Sequence, residues 1–332
     1  MDVHLHWKAL VRQVPISDWY TDESSQWTLD YPPLFAYFEY VVSFFAPADM
    51  LVRNQLATDD RHVLFLRLSV ISTDLLLIYA TWKLIASFKK SPDLSLCASA
   101  LVLFCPALIL VDNVHFQYNA LPISVLFISL NYLNRSEFSI AVAFFACAIN
   151  VKHTLLPIAP ALAITTLASI YKRHQSSVFS FFLNCCMVFA SFVVAFVIPW
   201  TPFLRNGGLY PVLSRLFPFG RGLLHSYWAA NFWASYTTLD RLLSFIGISM
   251  RETVGNPTSG VIGAVSPFAA LPNVTPKICA VLIAAFILLK TRFFFSGNPQ
   301  HGFAAYYSAL VAFVFGWHVH DCLSYTSDAA DD

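Results

Sequence analysis

Long apolar runs alternate along this chain with short stretches that are too polar and too aromatic to lie in a hydrocarbon core. Runs near or above the ~18 apolar residues needed to cross a bilayer predict membrane-spanning helices. We expect about eight of them, at 62–86, 94–111, 120–133, 138–151, 154–171, 178–200, 276–290 and 303–319. The third and fourth are short for a full crossing and fit tilted or re-entrant helices. The pattern therefore predicts an all-α polytopic membrane protein.

The region before the first span has a different pattern. It carries Trp, Pro and acidic residues throughout, and its apolar stretches, from Trp7 to Val14 and from Leu34 to Phe45, suit amphipathic helices in the membrane interface. The whole pattern predicts five regions: 1–60 with interfacial helices, 61–200 with spans and short loops, 201–275 as a long loop, 276–320 with the last spans, and 321–332 as a polar tail.

Composition supports lipid as the solvent. Charged residues make up 12% of the chain and the mean hydropathy is +0.61, whereas soluble domains carry about 25% charged residues. The net charge of +1 gives no reason to expect a nucleic-acid partner. The seven cysteines form no C-x-x-C pair or zinc-finger spacing.

Basic residues follow alternate spans and set the orientation. By the positive-inside rule the loops that carry them are cytosolic; the residues are Lys83, Lys89, Lys90, Arg135, Lys172, Arg173, Lys290 and Arg292. The opposite side then receives every conspicuous polar-aromatic stretch, at 27–33, 115–119, 215–219, 225–228 and 316–320. One shared face predicts one candidate active site.

Several polar groups on that face have two interpretations each. Asp30, before Tyr31 and two prolines, forms either an ordinary turn or part of a sugar site among aromatic rings. The polar residues of 112–119 either cap helix ends or line a polar cavity. Lys152 either extends toward the membrane surface or, beside His153, meets an anionic phosphate.

The long loop and the last span add further candidates. Arg215 and Arg221 flank a Phe-Pro-Phe-Gly sequence and are either solvated or phosphate-binding. His318 and His320 could hold a metal only with a third ligand, and we expect no metal. The chain has no P-loop, no G-x-G-x-x-G and no D-x-D, so a nucleotide donor is not indicated.

Taken together, five motifs resemble one family, the dolichyl-phosphate-glucose glucosyltransferases of the endoplasmic reticulum, which have the multi-spanning GT-C fold. The motifs are Trp19, the stretch 25–33, the stretch 111–119, the stretch 215–222 and the Gly-Trp-His-Val-His of 316–320. They occur in the family's order over nearly the whole chain.

The resemblance implies an inverting transfer of glucose from dolichyl phosphate glucose to a dolichyl-diphosphate-linked Man9GlcNAc2 oligosaccharide, at a luminal site in the endoplasmic reticulum membrane and without a cofactor. It implies a catalytic carboxylate that takes the proton of the acceptor hydroxyl, with Asp2 and Asp30 as the catalytic residues of this chain. It implies substrate-binding roles for Trp27, Tyr31, Asp112, His115, Gln117, Asn119, Lys152, His153, Arg215, Arg221, His225, Tyr227, Trp228, His318 and His320.

Two members of the family are close candidates. The Trp-Thr-Leu-Asp of 27–30 and the His-Ser-Tyr-Trp-Ala of 225–229 resemble the α-1,3-glucosyltransferase that adds the second glucose rather than the one that adds the first. The family's Asp-x-Glu pair before Trp7 is present only as Asp2 at its second position, and the sequence departs again after His320. These departures predict a chain truncated at both ends. An inactive remnant and a transporter are the alternatives.

Overall fold

The computed structural model describes residues 2–25, 27–52, 59–88, 91–204, 209–216, 232–248, 268–272, 281–282 and 284–285. Within these ranges every regular element is helical. The α-helices are α1 (Asp2–Gln13), α2 (Pro33–Ser43), α3 (Asp60–Ala86), α4 (Pro92–Leu103), α5 (Pro106–Leu108), α6 (Ala120–Asn134), α7 (Phe138–Val151), α8 (Ala159–Arg173), α9 (Val178–Val197), α10 (Tyr210–Leu216) and α11 (Phe232–Phe245). Shorter turns are the 3-10 helices Ile16–Asp18, Ala48–Leu51, His153–Ile158 and Ile198–Leu204 and the π-helix Ile109–Val114.

The chain divides into two compact units. The first comprises Met1–His153 and Ser169–Phe217, and the second comprises Thr154–Ala168 and Pro218–Asp332. In the first unit α6 packs against both α3 and α7, α7 packs against α9, and α1 packs against α2.

In the second unit α11 holds the segment 268–272. The carboxylate of Asp240 accepts hydrogen bonds from three successive backbone N–H groups, those of residues 269, 270 and 271, at 2.8–3.0 Å.

Among the described residues, three helical stretches are long and apolar enough to cross a membrane: Asp60–Ala86, Pro92–Val114 and Val178–Leu204. Two shorter apolar helices, Ala120–Asn134 and Phe138–Val151, follow the predicted bounds closely. The mostly helical membrane architecture is therefore confirmed at this level, whereas the number eight stays a prediction. The predicted spans at 276–290 and 303–319 lie almost entirely outside the described residues.

Prolines account for two differences from the predicted spans. The stretch 154–171 is not one helix, because 3-10 turns occupy His153–Ile158 and α8 begins only at Ala159, beyond Pro157. The stretch 94–111 breaks after Leu103 and restarts at Pro106, which suits the first turn of a helix.

The two ends of the first unit carry different chemistry. At one end Ser87, Asn134, Ser136 and Arg173 are joined: Asn134 donates to Ser87 Oγ at 3.1 Å, and Arg173 donates to the Ser136 carbonyl at 3.3 Å. Ser69, at the other end, lies 18 residues earlier on α3, which at 1.5 Å per residue is about 27 Å away. The helix α1, the helix α2 and the loop before α6 all gather at that second end.

Candidate active site

Two charged side chains lie fully buried where α1 packs against α2. The Lys8 Nζ atom lies 2.6 Å from the Glu39 Oε2 atom, and both side chains are 0% exposed. Nζ also donates to the Tyr118 hydroxyl at 2.9 Å. That hydroxyl lies 2.7 Å from Ser69 Oγ on α3. One cation thus connects α1, α2, α3 and the loop before α6.

Mutual attraction keeps this pair charged despite its burial. Burial alone would lower the pKa of Lys8, but the Glu39 carboxylate and the Tyr118 hydroxyl together raise it above its usual value. Burial alone would likewise raise the pKa of Glu39, yet Lys8 and His4 hold it below its usual value. Removal of either partner would leave a buried charge without compensation, which is strongly destabilising.

His4 connects the charge pair to two predicted substrate-binding residues. Its Nδ1 lies 2.6 Å from Glu39 Oε1 and donates to it. Its Nε2 lies 3.4 Å from the side-chain amide of Gln117, which is also 3.5 Å from the Tyr31 hydroxyl. Burial, aided by the nearby Lys8 cation, lowers the pKa of His4 below its usual value despite the opposing effect of the Glu39 carboxylate, so the imidazole is neutral near pH 7. Because His4 and Lys8 are four residues apart on α1, both reach Glu39 from one helix face.

The loop before α6 has an unusual backbone. Ile109–Val114 is a π-helix, in which the backbone N–H of His115 donates to the Leu110 carbonyl at 3.2 Å. Gln117 N–H then donates to the Val111 carbonyl, also at 3.2 Å. Such π-turns occur mostly as single insertions and are frequent at functional sites.

Phe116 reverses the chain at this loop. Its φ is +59°, a left-handed conformation that costs a residue with a side chain roughly 1–2 kcal/mol. Its ring packs in a buried cluster with Leu5, Met50 and Leu66. This packing holds the strained turn, and the turn brings the polar residues on either side of it together.

Asp112 caps α6 from eight residues away. Its Oδ2 accepts the backbone N–H of Ala120 and its Oδ1 accepts the Asn119 amide, both at 2.7 Å. Asn119 is held in this way and accepts a hydrogen bond from Lys152 Nζ through its Oδ1. The Lys152 cation also lies 5.4 Å from the centre of the Tyr31 ring. For Asp112 the capping interpretation is thus observed, and Lys152 is a half-buried cation oriented by an amide and a ring.

The segment that carries Asp30 is fixed on both sides. Pro32 is extended and Pro33 begins α2, since a proline suits the first helical turn. The Tyr31 carbonyl accepts the Tyr20 hydroxyl at 2.5 Å. The Trp27 carbonyl accepts the indole N–H of Trp7 at 3.1 Å. Asp30 is buried between these two anchors, at 7% exposure.

An aromatic cluster links this segment to the end of α9. The rings of Trp19 and Tyr20 lie 6.1 and 5.1 Å from that of Phe203, centre to centre. Nearby, Arg215 of α10 forms an ion pair with Glu23 at 3.1 Å. Arg215 therefore already has an exposed carboxylate as its partner.

One group of acidic and imidazole side chains resembles a metal site in its composition. Ligand atoms of Asp49, Asp59 and His62 lie within 4.8 Å of one another. The Arg61 guanidinium already compensates one of the two negative charges of this group, since it lies 2.7 Å from Asp59 and 3.5 Å from Asp49. We assign no ion to it.

A model of the ALG6, ALG8 glycosyltransferase family matches residues 1–322. The chain belongs to this family. Three relatives are similar to it: the dolichyl pyrophosphate Glc1Man9GlcNAc2 alpha-1,3-glucosyltransferases of Arabidopsis thaliana (36% identity over 337 residues) and Bos taurus (36% over 347), and the probable enzyme of that name of Drosophila melanogaster (37% over 331). Each alignment covers 96% of this chain and 64, 66 and 64% of the respective relative. The chain thus spans a little under two thirds of the length of these relatives.

The described part of this ALG6, ALG8 family member brings several predicted site residues together. Hydrogen bonds and ring contacts join Tyr31, Gln117, Asn119, Asp112 and Lys152. Trp27, His115 and His153 are half-buried. In the sequence His153 directly follows Lys152, His115 lies two residues before Gln117, and Trp27 lies four residues before Tyr31. Arg215 instead contacts Glu23.

Other predicted residues are not described. Asp2 is the first residue of α1, but its side chain is outside the described atoms. Outside the described residues altogether are Arg221, His225, Tyr227, Trp228, His318 and His320.

Sequence reasoning missed His4, Lys8 and Glu39. The spacing of His4 and Lys8 was visible, but polar residues four apart on a short helix usually form a solvated face. Glu39 stands among apolar residues of α2, and a lone acid there was the one available signal.

Proposed function

We propose that this chain transfers glucose from dolichyl phosphate glucose to a dolichyl-diphosphate-linked oligosaccharide. The observation that carries the proposal is the connected group of Tyr31, Gln117, Asn119 and Lys152, which offers an aromatic face, an amide and a cation at one end of a helical membrane protein. A sugar phosphate on a lipid needs these three kinds of contact. The names of the similar family members support the same chemistry.

In the proposed reaction an acceptor hydroxyl attacks the glucose C1 as the bond from C1 to the phosphate oxygen breaks, with inversion at C1. Dolichyl phosphate leaves with the bonding electron pair, and its added negative charge is stabilised by Lys152. Asn119 holds that cation in place before the donor arrives, so little of its side-chain freedom is lost on binding.

The hydroxyl proton goes to a carboxylate acting as general base. Asp30 and Asp2 are the two candidates of this chain. Asp30 lies next to Tyr31, and Asp2 stands two residues before His4 on α1. His115, His153, Trp27 and the residues of 215–228 and 316–320 complete the substrate contacts in this proposal.

The proposed acceptor carries one glucose already, so the product carries two. The motif at 27–30 and the names of the relatives in plant, insect and mammal favour this second transfer, which forms an α-1,3 linkage. The proposed location is the endoplasmic reticulum membrane, with the site facing the lumen.

The test measures whether the purified protein transfers labelled glucose from dolichyl phosphate glucose to an acceptor. Two lipid-linked oligosaccharides serve as acceptors, the first with one glucose and the second with none. Product from the first acceptor alone supports the proposal, product from the second alone assigns the chain to the first transfer, and product from neither contradicts the activity. Cells that lack the chain should accumulate the oligosaccharide with one glucose.

Variants of the site sharpen this test. Lys152→Met should raise the KM for the donor at least about tenfold, the effect of losing one charge-assisted contact, and should also lower kcat because the leaving phosphate loses its cation. Lys172→Met, which removes an exposed lysine near the end of α8, should not. Asp30→Asn and Asp2→Asn identify the general base: the substitution of the residue that acts as the base should lower kcat by two or more orders of magnitude.

A further inference from the structure

The buried charges of α1 and α2 take no step in the proposed reaction. The neighbours of Lys8 on α1 include buried apolar residues such as Leu5, Ala9 and Leu10. Apolar side chains of similar volume often replace a buried ion pair with no loss of stability, because the cost of removing charges from water disappears. Stability alone therefore does not account for a charged pair at this position.

The geometry fixes the orientation of the Glu39 carboxylate and, through it, of the His4 ring. One Glu39 oxygen faces Lys8 and the other faces His4, each at 2.6 Å, so the carboxylate is held from both sides. The neutral imidazole then has its proton on Nδ1, so Nε2 can only accept a hydrogen bond, and the Gln117 amide, 3.4 Å away, must present its NH₂ group to it. Gln117 is shared with Tyr31, whose ring lies beside the Lys152 cation.

We propose that Lys8, Glu39 and His4 are positioning residues for the sugar-phosphate donor, with Glu39 orienting the His4 ring and His4 fixing the Gln117 amide and the Tyr31 ring beside Lys152. This inference rests on the proposed function and deepens it. None of the three residues touches the donor; they hold the residues that do.

The experiment compares two double variants of the full chain in detergent or nanodiscs. Lys8→Met with Glu39→Met removes both charges and the acceptor for His4. Lys8→Met with Glu39→Gln removes both charges but keeps an amide oxygen that accepts the His4 proton. Neither leaves a buried charge unpaired, so both should unfold within a few degrees of the wild type.

Binding of dolichyl phosphate glucose is measured directly, without transfer. The Met/Met variant should bind it about tenfold more weakly, with a matching rise in KM and a kcat within about threefold. The Met/Gln variant should recover most of the affinity. His4→Ala, as an independent change, should weaken binding to the same extent as Met/Met.

Three results would overturn the inference: wild-type affinity in the Met/Met variant, equal loss in both double variants, or no donor binding by the wild type. Donor binding by the wild type without glucose transfer would overturn the proposed function alone, and the affinities of the variants would still decide the role of the triad.

Discussion

At the scale of single residues, several buried polar side chains of the first unit pair with groups that are distant in the chain. Asp112 caps a helix that begins eight residues later, and Glu39 holds a histidine 35 residues earlier. Each pair has a measurable role, because a buried polar atom that loses its partner costs free energy.

Asp112→Ala should destabilise the first unit by about 2 kcal/mol, the upper range for a lost helix cap. Two donors, the Ala120 N–H and the Asn119 amide, lose their acceptor. The measurement is the midpoint of thermal or denaturant unfolding. Asp93→Ala, in the exposed first turn of α4, is the control and should change stability by no more than about 0.5 kcal/mol. Equal effects of the two substitutions would contradict the capping role.

His4 gives stability a dependence on mild acid. Its pKa in the folded protein is lowered from 6.5, chiefly by burial, so its contribution is complete above pH 6.5 and is lost as the pH falls through the lowered folded value. Glu39 changes charge only below its own ordinary value of 4.5, outside this window.

The wild type should therefore lose more stability between pH 7.5 and 5.5 than His4→Gln does, as measured by the unfolding midpoint at several pH values. Parallel curves for the two proteins would show that His4 does not titrate in the folded state as described.

At the scale of elements, the loop before α6 depends on one left-handed residue. The substitution of a buried Phe by Ala usually costs 3–5 kcal/mol, and Gly in a helix is worse than Ala by about 1 kcal/mol. At Phe116 the order of Gly and Ala should be reversed. Gly should be the less destabilising substitution there, because it adopts a positive φ without strain and Ala does not.

Phe116→Gly should therefore be more stable than Phe116→Ala by about 1 kcal/mol in the unfolding midpoint. Phe145, which is also buried but lies within α7, is the matched control, and there Gly should be the worse substitution. The same order at both positions would argue against strain at Phe116.

At the scale of the whole molecule, the first unit has two chemically distinct ends. The basic loops predicted to be cytosolic include Arg135 and Arg173, and their neighbours Asn134 and Ser136 join the end of α3 and the end of α8. The polar-aromatic cluster meets α3 at Ser69, in the first half of the helix and about 27 Å away along it. This separation matches what a membrane-spanning bundle requires.

Cysteines placed at the two ends should report opposite sides of the membrane. In sealed microsomes of a chain whose native cysteines are replaced, Lys172→Cys should react with an impermeant thiol reagent, and Ser24→Cys should react only after the membrane is opened. Both positions are exposed. Labelling of both from the outside would reject the orientation.

The sequence predicted the helices well where apolar runs were uninterrupted. α6 and α7 agree with the predicted bounds within a residue, since length and apolarity alone decide such helices. It failed at 154–171, where the helix begins only at Ala159, beyond Pro157. Asp112 and Asn119 lie in contact, as their closeness in the chain makes easy, whereas the role of 112–119 as a site stays a prediction. The contact between Glu39 and Lys8 was not predicted, because 31 residues separate them and no local pattern reports a contact between two helices.

The dehydrated lysine of α1 has a consequence for the order of assembly. α1 precedes its partners in the chain, yet Lys8 finds its two oxygen partners on residues 39 and 118. An ammonium ion keeps its water until both are present, since losing it earlier is too costly. The helix α1 should therefore dock late, after the loop before α6 has left the ribosome.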